Sequence, residues 1–146
     1  MAGPFELALK QWQDKTETQI DAWCRSVVLQ LWGRLVFRSP VDTGRFRANW
    51  MYGYGAPLTT TVDVTGESGA PAPPPTPPVI TVGIGVHYLT NSLPYAWPLE
   101  YGSSKQAPQG MVRLTAVEFQ SIAARPVIVD LSTSSFAGLG VLGVSP

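Results

Sequence analysis

The chain has 146 residues, ten basic and ten acidic side chains, and only 14% charged against 45% hydrophobic residues. That length supplies one ordinary domain with its own core and argues against a second. Charge well below the usual quarter or so of a soluble domain, with five Trp, five Tyr and five Phe, points to a surface completed partly by other proteins; a well-packed monomer is the plain alternative.

Apolar residues at Phe5, Leu9, Trp12, Ile20, Trp23, Val27, Leu31 and Leu35 recur at steps of three or four, broken only at Thr16. The spacing predicts one long amphipathic helix from Pro4 to about Phe37. Its first half shows water a broad polar face. Its second half adds Cys24, Val28, Trp32 and Val36 on further faces, as expected of a helix touching its own sheet on one side and a neighbouring subunit on another. Cys24 is the only cysteine and falls in this apolar pattern, so it reads as a structural thiol. No run approaches the roughly 18 apolar residues of a membrane span, and Glu6 and Lys10 stand where a signal peptide needs an apolar block.

Pro40 disfavours helix at Ser39, so the helix should stop by Phe37 or Arg38. Asp42 or Thr43 is placed to cap a new turn that holds Gly44, Arg45, Phe46, Arg47 and Ala48, with Asn49 and Trp50 leading into extended chain. The segment is a corner between helix and sheet. Trp50 to Ala56 and the Thr/Val alternation of Leu58 to Val64 predict two antiparallel strands turning at Ala56-Pro57. Residues 66–78, GESGAPAPPPTPP, predict a stiff, projecting loop. Val79 to His87 resumes the alternation of a strand. Tyr95, Ala96, Leu99 and Glu100 share the spacing of a short helix, with Gly102 suited to its end. Val112, Ala116, Phe119 and Ala123 recur at helical spacing beside Thr115 and Ile122, and Arg125-Pro126 ends that helix. Val127 to Leu131 is an edge-strand candidate at the start of a glycine- and serine-rich tail. These elements make an α+β fold: a long N-terminal and a C-terminal helix packed on a small, mainly antiparallel sheet. Residues 1–125 form the single domain, 66–78 a Pro-rich insertion in it, and 126–146 a C-terminal extension.

The chemistry available is sparse. One histidine and one cysteine, far apart in sequence, make no zinc cage, and His87 has no nucleophile elbow near it. Glu100 and Glu118 could be paired carboxylates, although salt bridges are the commoner use of such residues. The G-x-G pairs at Gly53-Gly55 and Gly83-Gly85 lack the strand-turn-helix setting of a nucleotide site. These residues suit a non-enzymatic protein with no cofactor and no metal. What stands out is five arginines, Arg25, Arg34, Arg38, Arg45 and Arg47, against one acid, Asp42, between positions 25 and 47. Either they pair with acids within or between chains, Glu100 being favoured, or some of them, Arg34, Arg38 and Arg47 in particular, line a channel and touch DNA phosphates without reading sequence.

The run Ser39 to Trp50, SPVDTGRFRANW, followed by Asn91 to Gly102, NSLPYAWPLEYG, resembles the tail-completion or neck proteins of long-tailed bacteriophages. That family's pattern has S-P-V-D-T-G, an arginine-containing turn, Y-A-x-x-x-E-x-G and a closing helix. The core of the pattern falls on Ser39, Pro40, Asp42, Thr43, Gly44, Arg45 and Trp50, and on Tyr95, Glu100 and Gly102, with a looser match over Gln109 to Ala123. The resemblance implies a virion protein: a ring of six copies that completes the tail and joins it to the portal around the DNA path. Arg45, Arg47, Tyr95, Glu100 and Gly102 would then be candidates for subunit contacts or salt bridges. It also implies partners: further copies of itself, neighbouring neck and tail proteins, and viral DNA passing non-specifically through the lumen, with no membrane. A tail terminator ring is the alternative within the class, and a DNA-binding module the alternative outside it.

Overall fold

A computed structural model describes residues 3–81 and 85–125. Helix α1 runs from Pro4 to Arg38, close to the predicted span, and stops where Pro40 forces Ser39 into extended backbone. Next come α2 (Arg45–Ala48), strand β1 (Met51–Tyr54), a 3-10 turn (Glu67–Gly69), strand β2 (His87–Thr90), α3 (Ala96–Glu100) and α4 (Val112–Ala123). The strands form a two-stranded antiparallel sheet in which Met51 faces Thr90 and Tyr54 faces His87. The fold is α+β as the sequence predicts. Among the described residues, no helix is long and apolar enough to cross a membrane.

The core is built on the second half of α1. Trp32, Leu35 and Val36 meet Phe46 and Trp50 from the corner, Leu93 ahead of α3, and Ala107 and Met111 ahead of α4. Phe46 and Trp50 meet edge to face with centroids 6.0 Å apart, a favoured aromatic geometry. Two hydrogen-bonded steps close the corner. The Trp50 indole donates to the Ser39 hydroxyl at 2.7 Å, and that hydroxyl donates to the Leu35 carbonyl at 2.7 Å. The Trp32 indole donates to the Trp50 carbonyl at 3.1 Å, so both buried indoles are satisfied.

Three expectations change. The segment from Leu58 to Val64 pairs with no strand, and β1 takes β2 as its partner. Fully buried Asn49 is the reason: its side-chain amide accepts from the Val62 N–H at 2.8 Å and donates to the Val62 carbonyl at 2.9 Å, holding the segment as a strand neighbour would. The strand expected from Val79 begins only at His87; Val79 and Val86 are exposed, Ile80 alone of the described alternation is buried, and residues 82–84 lie outside the described residues. Finally, residues 66–78 do not simply project. Ala72 is buried, its N–H donates to the Thr43 carbonyl at 2.8 Å, and its carbonyl accepts from the Arg47 guanidinium. The edge strand expected over Val127 to Leu131 and the extension 126–146 lie outside the described residues.

Helix α4 runs antiparallel to α1: Thr115 meets Arg38, Glu118 meets Arg34 and Arg38, and the Ala123 carbonyl accepts from the Trp23 indole at 2.8 Å. Its buried side is therefore Thr115, Glu118 and Ile122, while Val112, Val117 and Phe119 face outward.

Candidate functional site

The two motif segments meet at the corner. Gly44, with φ of 85°, is the N-cap of α2; it is the residue type that reaches this left-handed conformation without strain. A Cβ there would lie 2.7 Å from the Ala72 carbonyl oxygen, so the Pro-rich segment rests directly on the glycine. Gly44, not Asp42 or Thr43, is the N-cap residue, while Thr43 supplies the side-chain oxygen expected to meet a free N–H of the turn. The Thr43 hydroxyl accepts from the Arg45 N–H at a long 3.3 Å, and Asp42 lies exposed on a groove of about 400 Å³ shared with Tyr95 and Lys105. Asn91 ties the second motif to the first by donating to the Phe46 carbonyl at 2.9 Å, and Tyr95 packs on Phe46 with centroids 5.9 Å apart.

Helix α3 ends as its sequence predicts. Gly102 has φ of 94°, and the Ser103 N–H donates back to the Pro98 carbonyl at 3.1 Å, satisfying an orphan helix carbonyl. Glu100, expected opposite the arginine segment, does something else. One carboxylate oxygen accepts from the N–H groups of Met111 and Val112 at 2.8 and 2.9 Å, the other from the Arg113 N–H at 3.0 Å. Glu100 caps α4, whose partial positive N-terminus favours a carboxylate. Arg113 closes the unit, its Nη2 donating to the Glu100 carbonyl at 2.7 Å. Burial acts to raise the Glu100 carboxyl, but the donors of Val112, Arg113 and Met111 outweigh it and hold the group below its ordinary range.

Four arginines of this segment have partners within the chain. Arg34 and Arg38 share Glu118, Arg45 Nε lies 3.5 Å from Asp63, and Arg47 reaches the Ala72 carbonyl. The hydrogen bond from Arg38, offset by desolvation and assisted by the charges of Arg38 and Arg34, lowers the Glu118 carboxyl.

On the outside of α3, the Trp97 and Tyr101 rings pack at a tilt of 42° with centroids 4.5 Å apart, and the Arg113 guanidinium sits 5.0 Å from the Tyr101 ring. Trp97 is 71% exposed and Tyr101 55%. Beneath them a groove of about 470 Å³ runs between Leu89, Pro94 and Met111. The motif match singles out Tyr95, Glu100 and Gly102, which fix the position of this surface; the surface itself is Trp97, Tyr101 and Arg113. The i, i+4 aromatic pair is the sequence signal for it.

The structure also joins the residues that inventory treats as distant. Cys24 Sγ is 3.1 Å from His87 Nε2, and His87 Nδ1 is 2.9 Å from the Tyr52 hydroxyl, which accepts from the Thr81 N–H. Burial first, and then the Asp21 carboxylate, raise the Cys24 thiol, so it stays protonated and shares a hydrogen bond with Nε2. This chain of bonds ties α1 to both strands. Among the described residues no group of three or more His, Cys, Asp or Glu is arranged to hold a metal ion. Comparison of the chain with protein-family models, curated proteins and solved structures finds no match.

Proposed function

We propose that this protein is a structural subunit of the neck of a long-tailed phage virion. It forms a hexameric ring that completes the tail and joins it to the head around the DNA channel, with no enzymatic activity. The observation that carries the reading is the exposed pair Trp97 and Tyr101 within the second family motif, with Arg113 of α4 against Tyr101. Trp, Tyr and Arg are the residue types that dominate the energy of protein interfaces, and here they surround an apolar groove able to take a side chain of the next copy. Pairing of Arg34 and Arg38 with Glu118 supports a structural use of the arginine segment over phosphate binding, since both guanidinium groups are already engaged within the chain.

Mass photometry and sedimentation of the purified chain test the first half of this reading. Rings are expected in the wild type, and Trp97→Ala should weaken them by about 2 kcal/mol or more per contact without altering the monomer's circular dichroism. Imaging of intact particles tests the second half. A stable monomer at high concentration, together with the chain's absence from particles, would end the proposal.

A further inference from the structure

Two apolar stripes on this chain share one spacing. Along the first half of α1, Phe5, Leu9, Trp12 and Thr16 follow one another at steps of four, three and four; residues 4–15 are all exposed, Phe5 at 78% and Trp12 at 66%. Along α4, Val112, Ala116, Phe119 and Ala123 repeat the same steps beside the face that α4 buries, with Val112, Ala116 and Phe119 exposed and Ala123 half-buried. The chain's own α4 does not reach its own row, because it ends beside Trp23. We propose that the α1 row of one copy packs antiparallel on the α4 stripe of the next copy.

Alternating steps of four and three make the seam along which two helices interlock. The order four, three, four reads the same in both directions, so an antiparallel setting places Thr16 on Val112, Trp12 on Ala116, Leu9 on Phe119 and Phe5 on Ala123. Both large rings of the row then meet alanines, and large against small fills the space between helices. Charge agrees with that direction. Glu6 and Glu17 lie on one flank of the row, and Arg113 and Gln120 on one flank of the stripe. The antiparallel setting joins these two flanks, with Glu6 beside Gln120 and Glu17 beside Arg113, whose side chain is 54% exposed. A parallel setting would turn the acidic flank toward the inner face of α4 instead.

The area argues for more than two copies. At roughly 150–250 Å² for an aromatic side chain, Phe5 and Trp12 together supply well under the about 800 Å² per partner of a stable pair. A chain that offers its row to one neighbour and its stripe to another doubles that burial by closing head to tail. The proposal thus rests on the ring reading above and deepens it. Val112 and Arg113, at the head of the stripe, also line the groove beneath Trp97 and Tyr101. One continuous surface therefore receives the neighbour's α1, with exposed Ile20, one turn beyond Thr16, carried to the groove.

Crosslinking of the full-length chain tests this, in a Cys24→Ser background that keeps a partner for His87. On mild oxidation, Trp12→Cys/Ala116→Cys should give a ladder of copies joined head to tail, while Phe5→Cys/Val112→Cys, the pair a parallel setting brings together, gives none. The reverse pattern, or a disulfide closed within one monomer, would overturn the proposal. In the wild type, hydrogen exchange over residues 5–16 and 112–123 should slow at least about tenfold as concentration is raised through assembly. Protection of residues 5–16 that does not depend on concentration would contradict it, the cover then coming from within the chain. Trp12→Glu should weaken assembly at least about tenfold with the monomer's circular dichroism unchanged. Rings of undiminished stability in that variant would remove this contact and leave the ring reading standing, whereas a wild type that stays monomeric at every concentration would remove both.

Discussion

The Trp50 indole nitrogen lies 2.7 Å from the Ser39 hydroxyl, and through it the first residue after α1 is tied to the last before β1. Both residues are buried, so the bond has no water to replace it. Ser39→Ala removes the acceptor and leaves the indole N–H unpaired, at a cost of about 1–3 kcal/mol. Urea unfolding should show a lower midpoint with an unchanged slope; an unchanged midpoint would contradict the role given to this hydroxyl.

Gly44→Ala combines two penalties, a positive φ and a Cβ driven against the Ala72 backbone. A loss of about 2 kcal/mol or more is expected in thermal melts. By the same contact, deleting residues 69–77 should lower stability, because it removes the Ala72 anchor from Thr43 and Arg47. A deletion variant as stable as the wild type would show the anchor to be dispensable.

Glu100 has a folded-state pKa below the ordinary 4.5. Its contribution is therefore complete above that value and is lost as pH falls through the lower folded value. Its side chain is only 12% exposed, which limits screening. Glu100→Ala should cost about 1–2 kcal/mol near neutral pH, and Glu100→Gln should flatten the loss of stability between about pH 5 and pH 2. Equal acid slopes in the two proteins would argue against the capping role. Ring formation, where it occurs, should weaken only as far as folding does.

Glu118→Gln leaves Arg34 and Arg38 without their shared carboxylate. Faster hydrogen exchange in α4 is expected, with β1 and β2 unaffected. In the wild type the Glu118 carboxyl is also lowered, so this attachment persists above the ordinary carboxylate range and is lost as pH falls through the lower value.

Cys24→Ala removes the hydrogen-bond partner of His87 Nε2, whereas Cys24→Ser keeps one. The alanine variant should be the less stable of the two. The imidazole resonances of His87, followed by NMR, should move in the alanine variant and much less in the serine variant.

The helices were legible in the sequence because their ends are marked by residues with one physical meaning: Pro40 after α1, and Gly102 after α3. The segment Leu58 to Val64 is not the second strand of a hairpin because Thr/Val alternation reports an extended backbone, not its partner, and the partners here are side chains, the buried Asn49 amide above all and the Thr90 hydroxyl. The packed face of α4 escaped for a related reason. It is chosen by Glu118 meeting two arginines, and a polar residue on the inner face breaks the hydrophobic stripe that a pattern search follows. Trp97 and Tyr101 lie inside the second motif, at the positions it leaves open.

Among the described residues between β1 and β2, Leu58 is held by the Thr90 hydroxyl, Val62 by Asn49, Ala72 by the Gly44 corner and Thr81 by the Tyr52 hydroxyl. The stretch between Val62 and Ala72 that holds Glu67–Gly69 can lengthen or shorten over generations without disturbing the sheet's pairing. The same stretch is accordingly the natural place to graft an epitope or a fluorophore when this chain is to be followed in living cells.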